Sequence, residues 1–247
     1  MKTGYKEVVL SGINLTCYGN DNGSSLADIV EAAAEVEGLE RIRLGSIEPD
    51  LLSNETLVRL SKIRKLCCQF HLSLQSGCAK TLTAMNRLYT PSEYRSVVEH
   101  MRELFDHAVF TTDVIVGFPG ETDADFEESM RFVQSLRFLK VHVFSYSRRP
   151  GTVAAEMPQQ VDEQIKAQRS KAMIAAADAV RAEVIHEFEG YREEVLLERP
   201  ISKSSFTGYT KSYIPVVVAA PGYRSGDIIP VTVGEFDGQR CVANLAE

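Results

Sequence analysis

Five short apolar strings in the first 150 residues each end in small or polar residues of a kind that can hold a ligand. The residues are Gly12 and Asn14, Ser46 and Glu48, Gln75 and Ser76, Gly117 and Gly120, and Ser145, Tyr146 and Arg148. If the strings are parallel strands, these positions gather at their carboxyl ends, where loops diverge and backbone groups are free to meet a ligand. Glycines there allow close backbone approach, yet the GFPGE string at 117–121 reads first as plain turn geometry. Glu48, Asp113 and Glu121 have the chemistry of a general acid or base, but one carboxylate per strand end is more often a cap or an ion-pair partner. No paired carboxylate spacing is visible, and no residue earns a catalytic role from its pattern alone.

Cysteine and histidine add little. Cys17, Cys67, Cys68, Cys78 and Cys241 form an odd set without a regular framework, as in a reducing compartment. The adjacent pair Cys67 and Cys68 points its side chains apart and makes no metal signature. Cys67, Cys68 and Cys241 are expected to be structural. His71 and His142 lie inside strands and are expected to be satisfied core residues rather than ligands. No metal site is read from the sequence.

The elements that must position the strand ends are legible. The strings 7–13, 41–47, 69–76, 111–118 and 140–147 start about thirty to forty residues apart, the length of a strand plus a crossover helix, which predicts a parallel sheet. Helices open at capping boxes, Ser25 with Asp28, Thr90 with Glu93 and Thr122 with Asp125. After Pro158 an Ala-, Gln- and charge-rich stretch reads as one connecting helix ended by Gly190. From Tyr191 onward the chain is strand and turn, enough for a small β-barrel. With 247 residues, 44% hydrophobic and 25% charged, the composition excludes disordered and fibrous classes. The net charge of −7 offers no overall basic footprint for nucleic acid, so any RNA contact must be local. No apolar run reaches membrane-spanning length and no signal peptide is seen, so a cytoplasmic location is expected.

The strings VVLSGINLTCYG, RIRLGSIEPDLL, FHLSLQSGCAKTLTAMNRLYT, TTDVIVGFPGETDADFEES and VHVFSYSRRPGTVAAEM, in this order, resemble the radical S-adenosylmethionine methylthiotransferases. The β-rich tail resembles their TRAM domain, and GINL and SIEP resemble the branch acting on threonylcarbamoyladenosine in tRNA. The resemblance implies an α/β fold, a partial TIM barrel with its first strand missing over 1–157, a connecting helix over 158–190 and an all-β TRAM barrel over 191–247. It implies S-adenosylmethionine with its methionyl part near Gly12, Asn14, Ser46 and Glu48, its carboxylate on Arg87, its ribose near Gln75 and Ser76, and its adenine near Val116, Phe144 and Tyr146.

In the family a 4Fe-4S cluster on a CxxxCxxC loop cleaves S-adenosylmethionine to a deoxyadenosyl radical, and a second cluster supplies the sulfur. No CxxxCxxC occurs in this sequence, so the chain reads as an N-terminally shortened member, inactive alone. Cys78 is expected to be packing. A non-catalytic S-adenosylmethionine- or tRNA-binding protein is the alternative. The resemblance also implies tRNA as partner, flavodoxin or ferredoxin as electron donor for the complete enzyme, and a monomer. Residues 190–247 carry 6 Lys and Arg against 7 Asp and Glu, so an RNA surface there must be a local groove. Phe206, Tyr209, Tyr213 and Tyr223 beside Lys203, Lys211 and Arg224 are its candidates.

Overall fold

The computed structural model describes residues 4–19 and 21–246. Strands form where aliphatic and β-branched residues cluster: β1 (Glu7–Leu10), β2 (Arg41–Leu44), β3 (Ser46–Ile47), β4 (Gln69–Leu72), β5 (Val109–Val116) and β6 (Lys140–Ser145). Every pairing among them is parallel, β1 with β2 and then β3-β4-β5-β6. The expected strand 41–47 is divided at Gly45, whose N–H donates to the Leu10 carbonyl at 2.7 Å. A bridge between Ile42 and Leu66 carries the pairing on toward β4 and joins the two pieces.

The helices are α1 (Leu26–Ala34), α2 (Asn54–Ser61), α3 (Ala79–Ala84), α4 (Pro91–Leu104), α5 (Asp123–Ser135), α6 (Val153–Glu156) and α7 (Glu163–His186). Those starting at α1, α4 and α5 carry complete capping boxes, each hydroxyl accepting from the third residue's N–H while that residue's carboxylate accepts from the cap. Their apolar faces, with Tyr94, Val98, Met101, Phe126 and Val133, cover the sheet's outer face and share a core with Phe70, Phe110 and Val114.

The connecting helix α7 is capped by Asp162 and ends at His186, a few residues before Gly190, whose φ of +85° redirects the chain. Five strands follow: β7 (Arg192–Pro200), β8 (Ser205–Thr210), β9 (Pro215–Ala219), β10 (Ile228–Phe236) and β11 (Cys241–Leu245). They close as β10-β11-β9-β8-β7, with β7 returning to β10, around Val195, Leu197, Val216, Val218, Val231 and Val233.

Two arginines fasten this barrel to the sheet. Arg41, 1% exposed, donates to the Glu194 carbonyl at 2.6 Å and the Tyr209 carbonyl at 3.3 Å. Arg43 donates to Glu7 at 3.0 Å and to the carbonyls of Thr210 and Lys211. Burying a guanidinium is costly unless its donors are satisfied; the backbone of the barrel supplies acceptors for the terminal nitrogens of both arginines, while Arg41 Nε is buried without a partner among the described residues. Among the described residues no helix is long and apolar enough to cross a membrane.

Candidate functional site

At the strand ends, Glu48 follows β3 and its N–H donates to Thr16 Oγ1 at 3.0 Å, so the loop after β1 is tied to it. Arg87 reaches it from the turn after α3, with Nη1 at 3.4 Å from Glu48 Oε2. Burial pushes the Glu48 carboxyl up, with Arg87 opposing. The two half-buried groups form one acid and guanidinium pair, complementary to the ammonium and carboxylate of an amino-acid moiety. Gly12 and Asn14 are exposed in the loop, and a Cβ at Gly12 would meet nothing within 4 Å. Ser46 is exposed as well.

Gln75 sits at φ +68°, a conformation that costs a non-glycine residue roughly 1–3 kcal/mol. Its N–H donates to Asp113 and its carbonyl accepts from Ile115, both at 2.8 Å, which fixes the turn beside β5. The expected strand 69–76 therefore stops at Leu72, and the side chains of two of the expected contact residues are buried. Ser76 is fully buried, its Oγ accepting from Cys78 N–H at 3.2 Å and lying on Ser129. Val116 is 1% exposed because it shares the helix-facing side of β5 with Thr112 and Val114. Its carbonyl accepts from Tyr146 N–H at 2.9 Å, so its backbone, not its side chain, reaches the strand end. Phe144 is 53% exposed. The Tyr146 ring packs edge-on to Phe118 at 5.3 Å, and its buried hydroxyl has no hydrogen-bond partner among the described residues. Such a buried hydroxyl is an unsatisfied polar group at the strand ends.

The GFPGE string is a structural latch. Gly117 has φ +73°, and a Cβ there would overlap Cγ of Lys166 on α7. Its N–H donates to Glu121 Oε1 at 2.8 Å, and the same oxygen takes Arg169 Nη1 at 2.7 Å. Glu121 is thus the ion-pair partner anticipated as one of its two readings. Sequence reasoning missed Lys166 and Arg169, which sit among the many charged residues of an Ala- and charge-rich helix.

The residues present do not fit a 4Fe-4S cluster. The five thiols are unpaired, and no three ligand-bearing side chains that include a cysteine converge among the described residues. Burial pushes the thiols of Cys67 and Cys241 up to about 11, and that of Cys78 up as well.

A further cavity lies elsewhere. It measures about 860 Å³ and opens between the inner face of the sheet and the C-terminal barrel, with Arg43, His71, His142, Arg181, Tyr213 and Arg240 among its lining. His71 and His142 are corrected by it. Both project from the inner face into this cavity, His71 half-buried and His142 exposed. Of the RNA candidates, Phe206 is 5% exposed and belongs to the barrel core, a correction that follows from its inward position on β8. The Lys211 ammonium donates to the Arg64 carbonyl, while Lys203 and Arg224 are exposed away from the cavity. Tyr209 stacks on Tyr213 at 4.4 Å, with the Arg43 guanidinium 4.8 Å over Tyr213, which forms an aromatic surface at the cavity.

The family model of the radical SAM superfamily matches residues 2–133. The chain is 37% identical over 234 residues to tRNA-2-methylthio-N(6)-dimethylallyladenosine synthase of Pelotomaculum thermopropionicum, covering 93% of this chain and 52% of the relative. It is 36% identical over 244 residues to threonylcarbamoyladenosine tRNA methylthiotransferase MtaB of Thermotoga maritima, covering 99% and 54%. The chain spans about half the length of the curated relatives it matches. Coproporphyrinogen III oxidase (HemN) of Escherichia coli shares the fold with a TM-score of 0.54 at 18% identity, over 71% of this chain and 40% of that one. With the parallel sheet, the strand-end pair and the closed barrel in place, these matches establish that the chain belongs to the radical SAM superfamily, in its methylthiotransferase family.

Proposed function

We propose that the chain is the S-adenosylmethionine- and tRNA-engaging part of a methylthiotransferase that modifies a hypermodified adenosine, N6-threonylcarbamoyladenosine being the preferred substrate. The observation that carries the reading is the Glu48–Arg87 pair at the strand ends. Glu48 takes the ammonium and Arg87 the carboxylate of the methionyl group, while the Tyr146 hydroxyl meets the nucleoside end. Bound S-adenosylmethionine supplies the methyl group and the hydrogen-abstracting chemistry of the family. The chain's own residues bind and orient it, and no reaction step is assigned to an iron–sulfur cluster on these side chains. The GINL and SIEP strings support the threonylcarbamoyl branch, and the TRAM-like barrel supports RNA contact through stacked Tyr209 and Tyr213. The site of action is cytoplasmic, with flavodoxin or ferredoxin as reductant of the complete enzyme.

The substrate reading is tested with anticodon stem-loops carrying either threonylcarbamoyl- or dimethylallyl-adenosine. Tighter binding of the first, weakened about fivefold or more by Tyr213→Ala, is expected. Equal binding of both, unchanged by Tyr213→Ala, would remove the substrate assignment.

A further inference from the structure

The inner face of the sheet carries a side-chain trio that the strand-end site does not use. His71 on β4, Asp113 on β5 and His142 on β6 bring one ligand atom each within 4.8 Å of one another. Register explains the convergence. His71 pairs with Thr111 across β4 and β5, Asp113 lies two residues further on the same face, and His142 is the direct Cα partner of Asp113 on β6. His71 Nε2 is 3.5 Å from Asp113 Oδ2, and the hydrogen bond and charge of His71 hold the Asp113 carboxyl below the usual range against burial.

The far side of His71 is organised too. Its Nδ1 is 3.0 Å from Thr111 Oγ1, which also accepts from Gln69 Nε2 at 3.2 Å. With an ion bound, Nδ1–H would donate to Thr111 Oγ1 and Nε2 would give up its proton and its hydrogen bond to Asp113 in favour of the metal. An oxygen acceptor held against the far ring nitrogen orients the imidazole, as the outer-shell partners of metal-binding histidines do.

Three cations of the cavity lining have partners. Lys140 lies 3.4 Å from Asp178, and Arg43 3.0 Å from Glu7. Arg181 stacks on Phe236.

We propose that His71, Asp113 and His142 form a binding site for a divalent transition-metal ion of the Zn²⁺ class. Two imidazoles and one carboxylate on one face are the donor set such ions prefer, leaving open positions toward the cavity. Ligands on one Zn²⁺ stand about 3.3 Å apart at bond lengths of about 2.0–2.2 Å. The trio therefore closes by up to about 1.5 Å, a movement open to the exposed His142 side chain. The proposal stands independently of the S-adenosylmethionine site.

The test uses Co²⁺ as a spectroscopic probe, titrated into the metal-free chain, with Zn²⁺ as competitor. One Co²⁺ per chain is expected, with visible ligand-field bands, no thiolate charge-transfer band in the near ultraviolet, and displacement by Zn²⁺. Affinity is expected to fall at least tenfold in His142→Ala, whose exposed position leaves folding intact by circular dichroism, and likewise in Asp113→Asn. The absence of saturable binding, binding unchanged in both variants, or a thiolate charge-transfer band that marks a cysteine site would each overturn the proposal.

Discussion

Replacing Glu121 by Ala removes the oxygen on which Gly117 N–H and Arg169 Nη1 converge at 2.8 and 2.7 Å. Both residues of the ion pair are buried, with side chains 2% and 7% exposed, so the orphaned groups gain little solvation. Breaking such a pair costs about 3–5 kcal/mol. Arg169 keeps Asp123 at 2.7 Å and the Glu121 carbonyl at 3.1 Å, which places Glu121→Ala at the lower end, about 3 kcal/mol. Glu121→Gln retains a neutral acceptor and should cost about 1–2 kcal/mol. Arg169→Met strands a buried carboxylate and should cost about 3–5 kcal/mol. In the double variant neither charge remains to be stranded, so its loss should fall short of the sum by about 2–3 kcal/mol. Urea unfolding reads these values from midpoints, provided the slope is unchanged. Additive losses, or a Glu121→Gln variant of native stability that fails to bind S-adenosylmethionine, would refute the latch and return Glu121 to the chemistry.

Three further expectations follow from the same geometry. Gly117→Ala forces a Cβ onto Lys166 Cγ at φ +73° and should cost about 2–4 kcal/mol; adding Lys166→Ala should recover the steric share and leave about 1–2 kcal/mol of backbone strain, read by thermal melts. Asp125 is opposed by burial but held down to about 2 by Lys80 and Thr122. Its stabilisation, at most about 2 kcal/mol, is present above its ordinary value near 3.8 and is lost as pH falls through about 2. Lys80→Met should move the acid-unfolding midpoint to higher pH. Since burial raises Glu48, S-adenosylmethionine affinity should start to fall on acidification at a higher pH than for an ordinary carboxylate, and this extra dependence should vanish in Glu48→Gln.

The strand and helix rhythm was legible because the strands are aliphatic and the helices open on capping boxes whose partners lie three residues apart. The strand-end residues were legible as a group, since topology alone brings carboxyl ends together. Their individual roles were not. Whether Val116 faces a helix or a ligand depends on a one-residue phase along β5, and Ser76 is buried by a turn at Gln75 that no turn residue announces. The inner-face trio escaped notice because histidine inside a strand is ordinarily core; only the cavity on the inner side of the sheet, a property of the whole fold, exposes it. Glu7, Arg41 and Arg43 were equally silent, since the acceptors of Arg41 and Arg43 lie about 150–170 positions away in sequence.

The most direct test of the functional account is calorimetric titration of S-adenosylmethionine into the chain and its Arg87→Met and Glu48→Gln variants. The account predicts one site, weakened by about ten- to a hundredfold in each variant, the fold-change of one lost charge-assisted hydrogen bond. No binding to the wild-type chain, or binding equal in all three proteins, would contradict it.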